Sequence, residues 1–402
     1  MPNLLPDSWH TLESADLKTL LLARIGGPGQ FTGTNEPNLI GLPLGGDSCQ
    51  IRLRFRDKVI IEISPGPAFD ASRWDQIVAE IERSVLTGIR KFGRDFGFSS
   101  RRVHGAWRGS ETGVTILPAP TDAPRAAVEM AAHPFVLEFP ISATELPTLT
   151  NRRRRDQHRR LTLLLNTLLI GHTSFERHSR DHLWAIVSMG EPAWEVRWVQ
   201  PGFLANLGPV ILDDPSDLPS QRLVEVPAEE YYADRGDRGQ GVQVPDDLDA
   251  SLACYQRLPR NRRAQFDRCA YWLDMASHEW SISMSSSFAA LVSAVEALTT
   301  RGAPHHFPCP VCTATCTHET PGATERFRAF LEAYAPGESE RSRRSAMYKL
   351  RSDILHGSDL MEFDQDISFG WDPAGWGERE LHGDLWRVTR TAIRGWLRAP
   401  AG

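Results

Sequence analysis

The chain has 402 residues, of which 41% are hydrophobic and 24% charged, a composition that excludes a disordered or fibrous protein. At about 100 to 200 residues per domain, this length predicts two or three domains. The formal net charge of -6 gives no overall attraction to nucleic acid, so binding to a polyanion would require a local basic cluster.

The sequence predicts neither a membrane span nor a secretory signal. The longest apolar stretch, at 161–171, is about half of the roughly 20 residues that a membrane span needs. Asp7 and Glu13 stand near the N-terminus, where a secretory signal carries positive charge, and no long apolar segment follows them. We therefore expect a cytoplasmic protein that has no membrane partner.

The first region, 1–145, combines short strands with a helix and predicts an α+β fold. Residues 51–55 and 58–64 alternate apolar and polar side chains, a pattern that indicates a β-hairpin. Residues 72–92 follow with helical periodicity, and 135–142 predict another strand. The apolar residues of the predicted helix are Trp74, Ile77, Ile81, Val85 and Ile89.

The second region, 146–244, contains strands and a linker, and it either forms a separate domain or continues the first. Residues 182–189 and 194–200 predict two strands. Residues 201–247 are rich in Pro, Gly, Asp and Glu and give the best candidate for a domain boundary.

An arginine cluster lies ahead of an apolar helical face within 151–171. Its members are Arg152, Arg153, Arg154, Arg155, Arg159 and Arg160. These side chains suit a phosphate-binding patch. They equally suit the solvated start of a helix or contacts with an acidic partner.

The third region, 245–402, changes to long helical periodicity. Five or six helical segments in this region predict an all-α bundle, interrupted by a Cys/His-rich insert at 304–320. The predicted protein is therefore multidomain, with an α+β N-terminal region followed by a helical bundle.

The segment 347–360, MYKLRSDILHGSDL, predicts a helix that ends at Gly357, the residue type favoured just after a helix C-terminus. His356 then lies in the last turn, where the helix dipole favours a protonated imidazole. Arg351 precedes His356 by five residues, about 7.5 Å along the axis and about 140° around it, so the two lie on adjoining faces.

Taken alone, these two side chains also suit a purely structural role. Arg351 would form a surface ion pair with Asp353 or Asp359, and His356 would be a helix-terminal cation.

The surrounding sequence favours a catalytic role. RSDILHG, with Tyr348 before it and the segments FAALVSAVEALTTR and AYWLDMASHEW upstream, resembles the HEPN superfamily and, within it, the Apea-like HEPN group. The resemblance covers about residues 245–400. In this family an R-x4-6-H motif, usually with a polar residue after the arginine, marks the active site, and Arg351, Ser352 and His356 match it position by position. The resemblance implies a helical bundle that dimerises so that two motifs face one another, which makes a metal-independent ribonuclease site without a cofactor.

The chemistry of these residues agrees with cleavage of RNA. The 2′-hydroxyl of RNA attacks the adjacent phosphate, and an imidazole such as that of His356 moves the required protons near neutral pH. The guanidinium of Arg351 neutralises the developing phosphate charge. We assign supporting positions to Ser352 and Tyr348, although Tyr348 also suits packing. Glu296 lies where related sequences often carry an acidic residue, and we interpret it as one half of a buried ion pair.

The Apea-like resemblance further implies a prokaryotic antiphage, or abortive-infection, effector. In that role the N-terminal region would restrain a toxic nuclease until an unknown trigger binds. The alternative is a non-catalytic module that dimerises through its bundle and binds nucleic acid or a partner through the arginines at 152–160.

The Cys/His insert suggests a structural zinc site. The candidate ligands are Cys309, Cys312, Cys316 and His318. A Cys-x2-Cys pair is a good half-site, because one tight turn aims two thiolates at a common point. Since the second pair is closely spaced, His305 or His306 is an alternative fourth ligand to His318. Free thiols are the alternative to zinc.

Overall fold

The structure is a computed structural model of the chain, which divides into two compact units. Unit 1 comprises Met1–Phe92 and Pro140–Gln157, and unit 2 comprises Gly93–Phe139 and His158–Gly402. The residues that the structure describes are 3–25, 39–42, 49–56, 59–86, 88–120, 133–170, 173–174, 183–188, 194–199, 210–233, 241–280, 282–300, 303–308, 315–337, 342–365 and 373–400.

Unit 1 contains a small antiparallel sheet and two helices that share one hydrophobic core. Its elements are a 3-10 helix Asp7–Thr11, α1 Ser14–Ile25, β1 Leu39–Leu42, β2 Ile51–Arg56, β3 Val59–Pro65 and α2 Ala71–Leu86. The strand order is β1-β2-β3. The antiparallel pairing of β2 with β3 confirms the predicted hairpin. Trp9 and Trp74 meet edge to face in the core, with ring centroids 5.8 Å apart.

The predicted helix at 72–92 was wrong beyond Leu86. The helix ends there, and a strand, β4, runs from Ile89 to Ser99. Ile89, expected on the apolar helical face, is 62% exposed. Gly88 is a poor helix former, and pairing within a sheet satisfies the backbone of the following residues instead.

A six-stranded sheet follows the order β11-β4-β7-β6-β5, and β8 pairs with β4. The further elements in this part of the chain are β5 Trp107–Arg108, β6 Thr115–Pro118, β7 His133–Ala143, α3 Pro147–Leu168, β8 Thr173–Ser174, β9 Leu183–Ser188, β10 Trp194–Val199 and β11 Val210–Leu212. β9 and β10 form a separate antiparallel pair. The strands predicted at 135–142, 182–189 and 194–200 are thus confirmed.

The segment predicted as a linker, 201–247, carries ordered structure where it is described. It contributes β11, β12 Glu225–Val226, α4 Ala228–Ala233 and β13 Val244–Pro245. A buried carboxylate, that of Glu138, accepts hydrogen bonds from the backbone N–H of Ser216 at 2.9 Å and from its hydroxyl at 2.6 Å. The same carboxylate pairs with Arg94 at 2.7 Å. Polar composition alone therefore did not reveal that this segment packs on the sheet.

The last part of unit 2 is mainly helical. Its elements are α5 Leu248–Arg257, α6 Arg260–Glu279, α7 Met284–Leu298, β14 Ala303–Pro308, β15 Thr315–Thr320, α8 Ala323–Tyr334, α9 Arg344–Leu355, α10 Glu362–Gln365 and α11 Pro373–Arg398. The pairing of β14 with β15 shows that the Cys/His insert is a β-hairpin. The hairpin interrupts the helical region at the predicted Cys/His insert, 304–320.

Helix α7 is the central helix of this part, with most of its residues buried and with α6, α8, α9, α10 and α11 packed around it. Its N-terminus is capped twice. The hydroxyl of Ser283 accepts the N–H of Ser286 at 3.1 Å. The carboxylate of Asp364 accepts the N–H groups of Met284 and Ser285 at 2.9 and 2.7 Å. This fixed helix carries Glu296 near its other end.

Among the helices of the described ranges, none is long and apolar enough to cross a membrane.

Candidate functional site

The end of α9 has the geometry that its sequence predicts. Gly357 has a φ of 69°, in the left-handed region that glycine adopts without strain. Its N–H donates to the carbonyl of Ile354 at 3.1 Å, and the N–H of Ser358 donates to the carbonyl of Asp353 at 2.9 Å. This pair of bonds is the Schellman motif, which confirms that the helix stops at Gly357 and makes His356 its C-terminal capping residue.

Two predicted site residues on α9 meet one carboxylate on α7. The hydroxyl of Tyr348 donates to Oε1 of Glu296 at 2.8 Å, and Nη2 of Arg351 donates to Oε2 at 2.7 Å. The Arg351 guanidinium also lies 5.6 Å from the centroid of the Tyr348 ring. We call these three residues the carboxylate cluster.

The carboxylate cluster is shielded from solvent to different degrees. Tyr348 is buried and packs against Phe327 of α8, with ring centroids 5.4 Å apart. The side chains of Arg351 and Glu296 are 20% and 27% exposed. Burial raises the pKa of the Tyr348 phenol, and the hydrogen bond to Glu296 raises it further, so the phenol stays a donor at neutral pH.

The ion pair of Arg351 with Asp353 or Asp359, predicted for a purely structural role, is wrong. Asp353 pairs with Lys349 on the same helix, at 2.7 Å, while Arg351 reaches across to Glu296. Sequence spacing identifies partners on one helix only, whereas Glu296 lies 55 residues earlier in the chain.

His356 and Ser352 lie at the open end of α9. The His356 side chain is exposed, and its backbone N–H donates to the carbonyl of Ser352 at 3.0 Å. Ser352 is partly exposed. None of the hydrogen bonds among the residues described joins His356 to Arg351. The structure therefore brings Tyr348 and Arg351 together through Glu296 and leaves the imidazole exposed at the helix end, where a ligand can reach it.

A cleft of about 520 Å³ opens beside the carboxylate cluster, and Glu296 forms part of its wall. The other lining residues come from α6, from the end of α7 and from the start of α8. They are Gln265, Arg268, Ala297, Thr299, Thr300, Ala323 and Arg326. The lining is mainly polar and includes two guanidinium groups, which suits an anionic ligand.

Part of the arginine cluster at 152–160 is engaged within the protein. Arg153 pairs with Asp16 at 2.8 Å, Arg152 donates to the hydroxyl of Thr19 at 3.0 Å, and Arg154 is buried. Acidic and hydroxyl side chains within unit 1 thus account for part of this charge.

The proposed zinc ligands fall only partly within the part of the chain that is described. Cys309 and Cys312 lie outside it. The antiparallel register of β14 and β15 places His305 opposite His318 and Phe307 opposite Cys316.

The sequence did not single out Arg268 and Arg326, which line the cleft. Each belongs to an ordinary amphipathic helix, and only their convergence across α6 and α8 makes them notable.

Comparison of the chain with protein-family models, with curated proteins and with solved structures finds no match.

Proposed function

We propose that this chain is a metal-independent endoribonuclease of the HEPN type, with Arg351 and His356 as its catalytic residues. One observation carries the proposal most directly. Glu296 fixes Arg351 on α9, five residues before the exposed His356, and the same Glu296 forms part of the wall of a cleft that two arginines also line. The resemblance of RSDILHG to the HEPN motif supplies the reaction class.

The proposed reaction uses the 2′-hydroxyl of the substrate. Its oxygen forms a bond to the adjacent phosphorus, the bond from phosphorus to the 5′-oxygen breaks, and a 2′,3′-cyclic phosphate results. One imidazole accepts the proton of the 2′-hydroxyl, and a second donates a proton to the departing 5′-oxygen. Since each chain supplies one His356, two chains supply both groups. DNA, which lacks the attacking hydroxyl, is not cleaved by this route.

Arg351 stabilises the charge that develops on the phosphate. A guanidinium has five N–H donors, and Glu296 engages one of its terminal nitrogens. The Nε of Arg351 is buried and has no hydrogen-bond partner among the described residues. We assign Glu296 and Tyr348 as positioning residues, because both act on the substrate through the guanidinium, and we assign Ser352 a supporting position.

Homodimerisation through the end of α9 completes the proposed site. Leu355 and Leu360, which flank His356 in sequence, are 53% and 47% exposed, and Phe363 is 64% exposed. Exposed apolar side chains grouped near a polar site are typical of a surface that another protein covers. A second copy of this chain would cover them and bring two His356 side chains together.

We infer the biological role from the resemblance alone. It is that of an antiphage, abortive-infection effector in the cytoplasm, a toxin that its N-terminal region holds inactive until a trigger binds.

We also propose a structural zinc ion in the Cys/His hairpin. The donor set of three thiols and an imidazole suits tetrahedral zinc, with Cys309, Cys312, Cys316 and His318 as the proposed ligands. His305 and His306 are the alternatives to His318. The zinc would hold the hairpin and take no part in catalysis.

The test is an RNA cleavage assay, in the presence of a chelator, with wild type, Arg351→Ala and His356→Ala. If only the wild type cleaves the RNA, and its product ends in a 2′,3′-cyclic phosphate, the result supports the proposed ribonuclease. Lys349→Ala is a matched control, because Lys349 lies on the same helix and pairs with Asp353. Arg351→Lys keeps a cation beside Glu296 and separates loss of fold from loss of phosphate binding. Equal behaviour of all the proteins would favour the non-catalytic binding module.

A further inference from the structure

One face of α6 continues the wall of the cleft. Gln265 and Arg268 line the cleft, and Trp272 follows at a spacing of four residues. Residues three and four apart on a helix are neighbours, so these three side chains form one stripe. Arg268 is exposed, and Trp272 is 40% exposed although tryptophan is usually more deeply buried. The stripe therefore presents a cation and a large aromatic ring about 6 Å apart along the helix.

The orientation of the Trp272 ring is supported by its neighbour. Tyr271 and Trp272 meet edge to face, with ring centroids 5.8 Å apart. An exposed indole held in this way offers a flat apolar surface to a ligand.

The opposite wall of the cleft adds a second cation. Arg326 on α8 lines the cleft, and its Nη1 donates to the carbonyl of Pro321 at 2.8 Å, which fixes the side chain. The one carboxylate in the lining, that of Glu296, is paired with Arg351. The hydroxyl of Thr300 adds a further polar group to the lining, whereas that of Thr299 donates to the carbonyl of Glu296 at 2.9 Å.

A positively charged groove beside an exposed aromatic ring is the combination that binds single-stranded nucleic acid. The cations follow the backbone phosphates, and the ring stacks on a base. A duplex keeps its base faces inside the stack, so an aromatic ring on a helix surface cannot reach them.

We propose that this cleft and the Trp272 stripe bind a single-stranded segment of RNA, with a phosphate between Arg268 and Arg326 and a base stacked on Trp272. This inference rests on the proposed function and names the form of its substrate. The segment bound here adjoins the nucleotide that Arg351 and His356 cleave, since Glu296 belongs both to the cleft wall and to the carboxylate cluster.

The experiment measures binding of a fluorescently labelled single-stranded RNA oligonucleotide by anisotropy, over a series of salt concentrations. All proteins carry His356→Ala, so that the probe stays intact. Adding Trp272→Ala should weaken binding by about tenfold, because the stacking of one base is lost. The salt dependence should not change, because the substitution removes no ion pair. Adding Arg268→Ala should also weaken binding, and should make the negative slope of log affinity against log salt shallower by about 0.7, the value for one phosphate contact on a single strand.

Two exposed residues elsewhere provide matched controls. Trp376, which is 61% exposed, and Arg379, which is exposed, both lie on α11 and outside the cleft lining. Trp376→Ala and Arg379→Ala should bind the probe as their parent does. Trp272→Phe should retain most of the affinity, since a phenyl ring also stacks. Unlabelled duplex RNA should compete poorly.

Unchanged affinity in both Trp272→Ala and Arg268→Ala, or equal competition by duplex RNA, would overturn the proposal. Cleavage assays on proteins with an intact His356 separate this result from the proposed function. Binding that depends on Trp272 in a protein that does not cleave RNA would refute the nuclease and retain the binding site. Cleavage at the wild-type rate and KM by Trp272→Ala would refute the binding site and retain the nuclease.

Discussion

Arg351 and Glu296 lie 55 residues apart in the sequence and form an ion pair of 2.7 Å between Nη2 and Oε2. The other oxygen of the same carboxylate accepts the hydroxyl of Tyr348 at 2.8 Å. A single acidic side chain on the central helix α7 thus fixes two donors that are three residues apart on α9. Removal of that carboxylate releases both at once.

Glu296→Ala should therefore lower the stability of the protein as well as any activity. The substitution leaves the Arg351 guanidinium and the Tyr348 phenol without their acceptor in a site that is mostly shielded from water, at a cost of about 1 to 3 kcal/mol. Urea unfolding followed by tryptophan fluorescence measures this cost. Glu296→Gln, which keeps an acceptor, should be affected less. Full activity in Glu296→Ala, with an unchanged free energy of unfolding, would contradict the positioning role.

His382 should make the protein sensitive to acid. It is 1% exposed, its Nε2 lies 2.9 Å from the hydroxyl of Ser287, and burial lowers its pKa to about 4. Because the hydroxyl of Ser287 donates to the carbonyl of Ala276, it accepts from Nε2–H. A second proton on the ring would then be on Nδ1, which is buried without a partner among the described residues.

The sign of this effect follows from the depressed pKa of His382. Above the unfolded pKa of about 6.5, the neutral imidazole of His382 makes its full contribution to the free energy of unfolding. As the pH falls towards 4, that contribution is lost, and the free energy of unfolding decreases by about 3 kcal/mol. The unfolding midpoint in urea, measured over this pH range, should fall less steeply in His382→Gln than in the wild type. Parallel curves for the two proteins would disprove the assignment.

Tyr232 should make the stability of the protein fall as the pH rises into the alkaline range. Its hydroxyl donates to the carbonyl of Leu168 at 3.0 Å, the Arg394 guanidinium lies 3.9 Å from its ring centroid, and burial raises its pKa to about 12. The buried, protonated phenol of Tyr232 stabilises the folded state fully below the unfolded pKa of about 10. This stabilisation is lost as the pH rises through 12.

The Tyr232 prediction is checked by the absorbance of phenolate during an alkaline titration. Ionisation of this phenol should accompany loss of the helical circular dichroism signal. Tyr232→Phe should lose about 1 kcal/mol at neutral pH and should show a shallower alkaline transition. Full ionisation of the wild-type tyrosines before any unfolding would show that Tyr232 is accessible to water.

The hairpin should bind one zinc ion per chain through three thiolates and one imidazole. Cys309→Ser and Cys316→Ser should lose zinc, because each removes a thiolate ligand. His306→Ala should keep it, because His318 is the fourth ligand of the proposed set. Metal analysis of the purified proteins measures this directly. Zinc in Cys316→Ser, or its loss from His306→Ala, would refute this ligand set.

Local pattern identified most elements because a hairpin or an amphipathic helix records its own geometry in nearby residues. The alternation in 51–64 predicted the pairing of β2 with β3, and Gly357 predicted the end of α9. The same approach was wrong at 89–92, where the apolar spacing continues past Gly88 but these residues form part of β4 and pair within the sheet. It also missed that the segment 201–247 packs on the sheet through the hydrogen bond of Ser216 to Glu138. A single buried polar contact produces no periodic pattern in the sequence.

The sequence by itself determined which side chains are available for chemistry: an arginine and a histidine five residues apart at a glycine-stopped helix end, with a family resemblance to give them roles. Only the tertiary structure decided that Arg351 is held by Glu296 and that Arg268 and Arg326 converge on one cleft. The physical reason is that ion pairs and clefts form between helices whose distance in space is set by packing of their buried faces. Spacing along the chain does not record that distance.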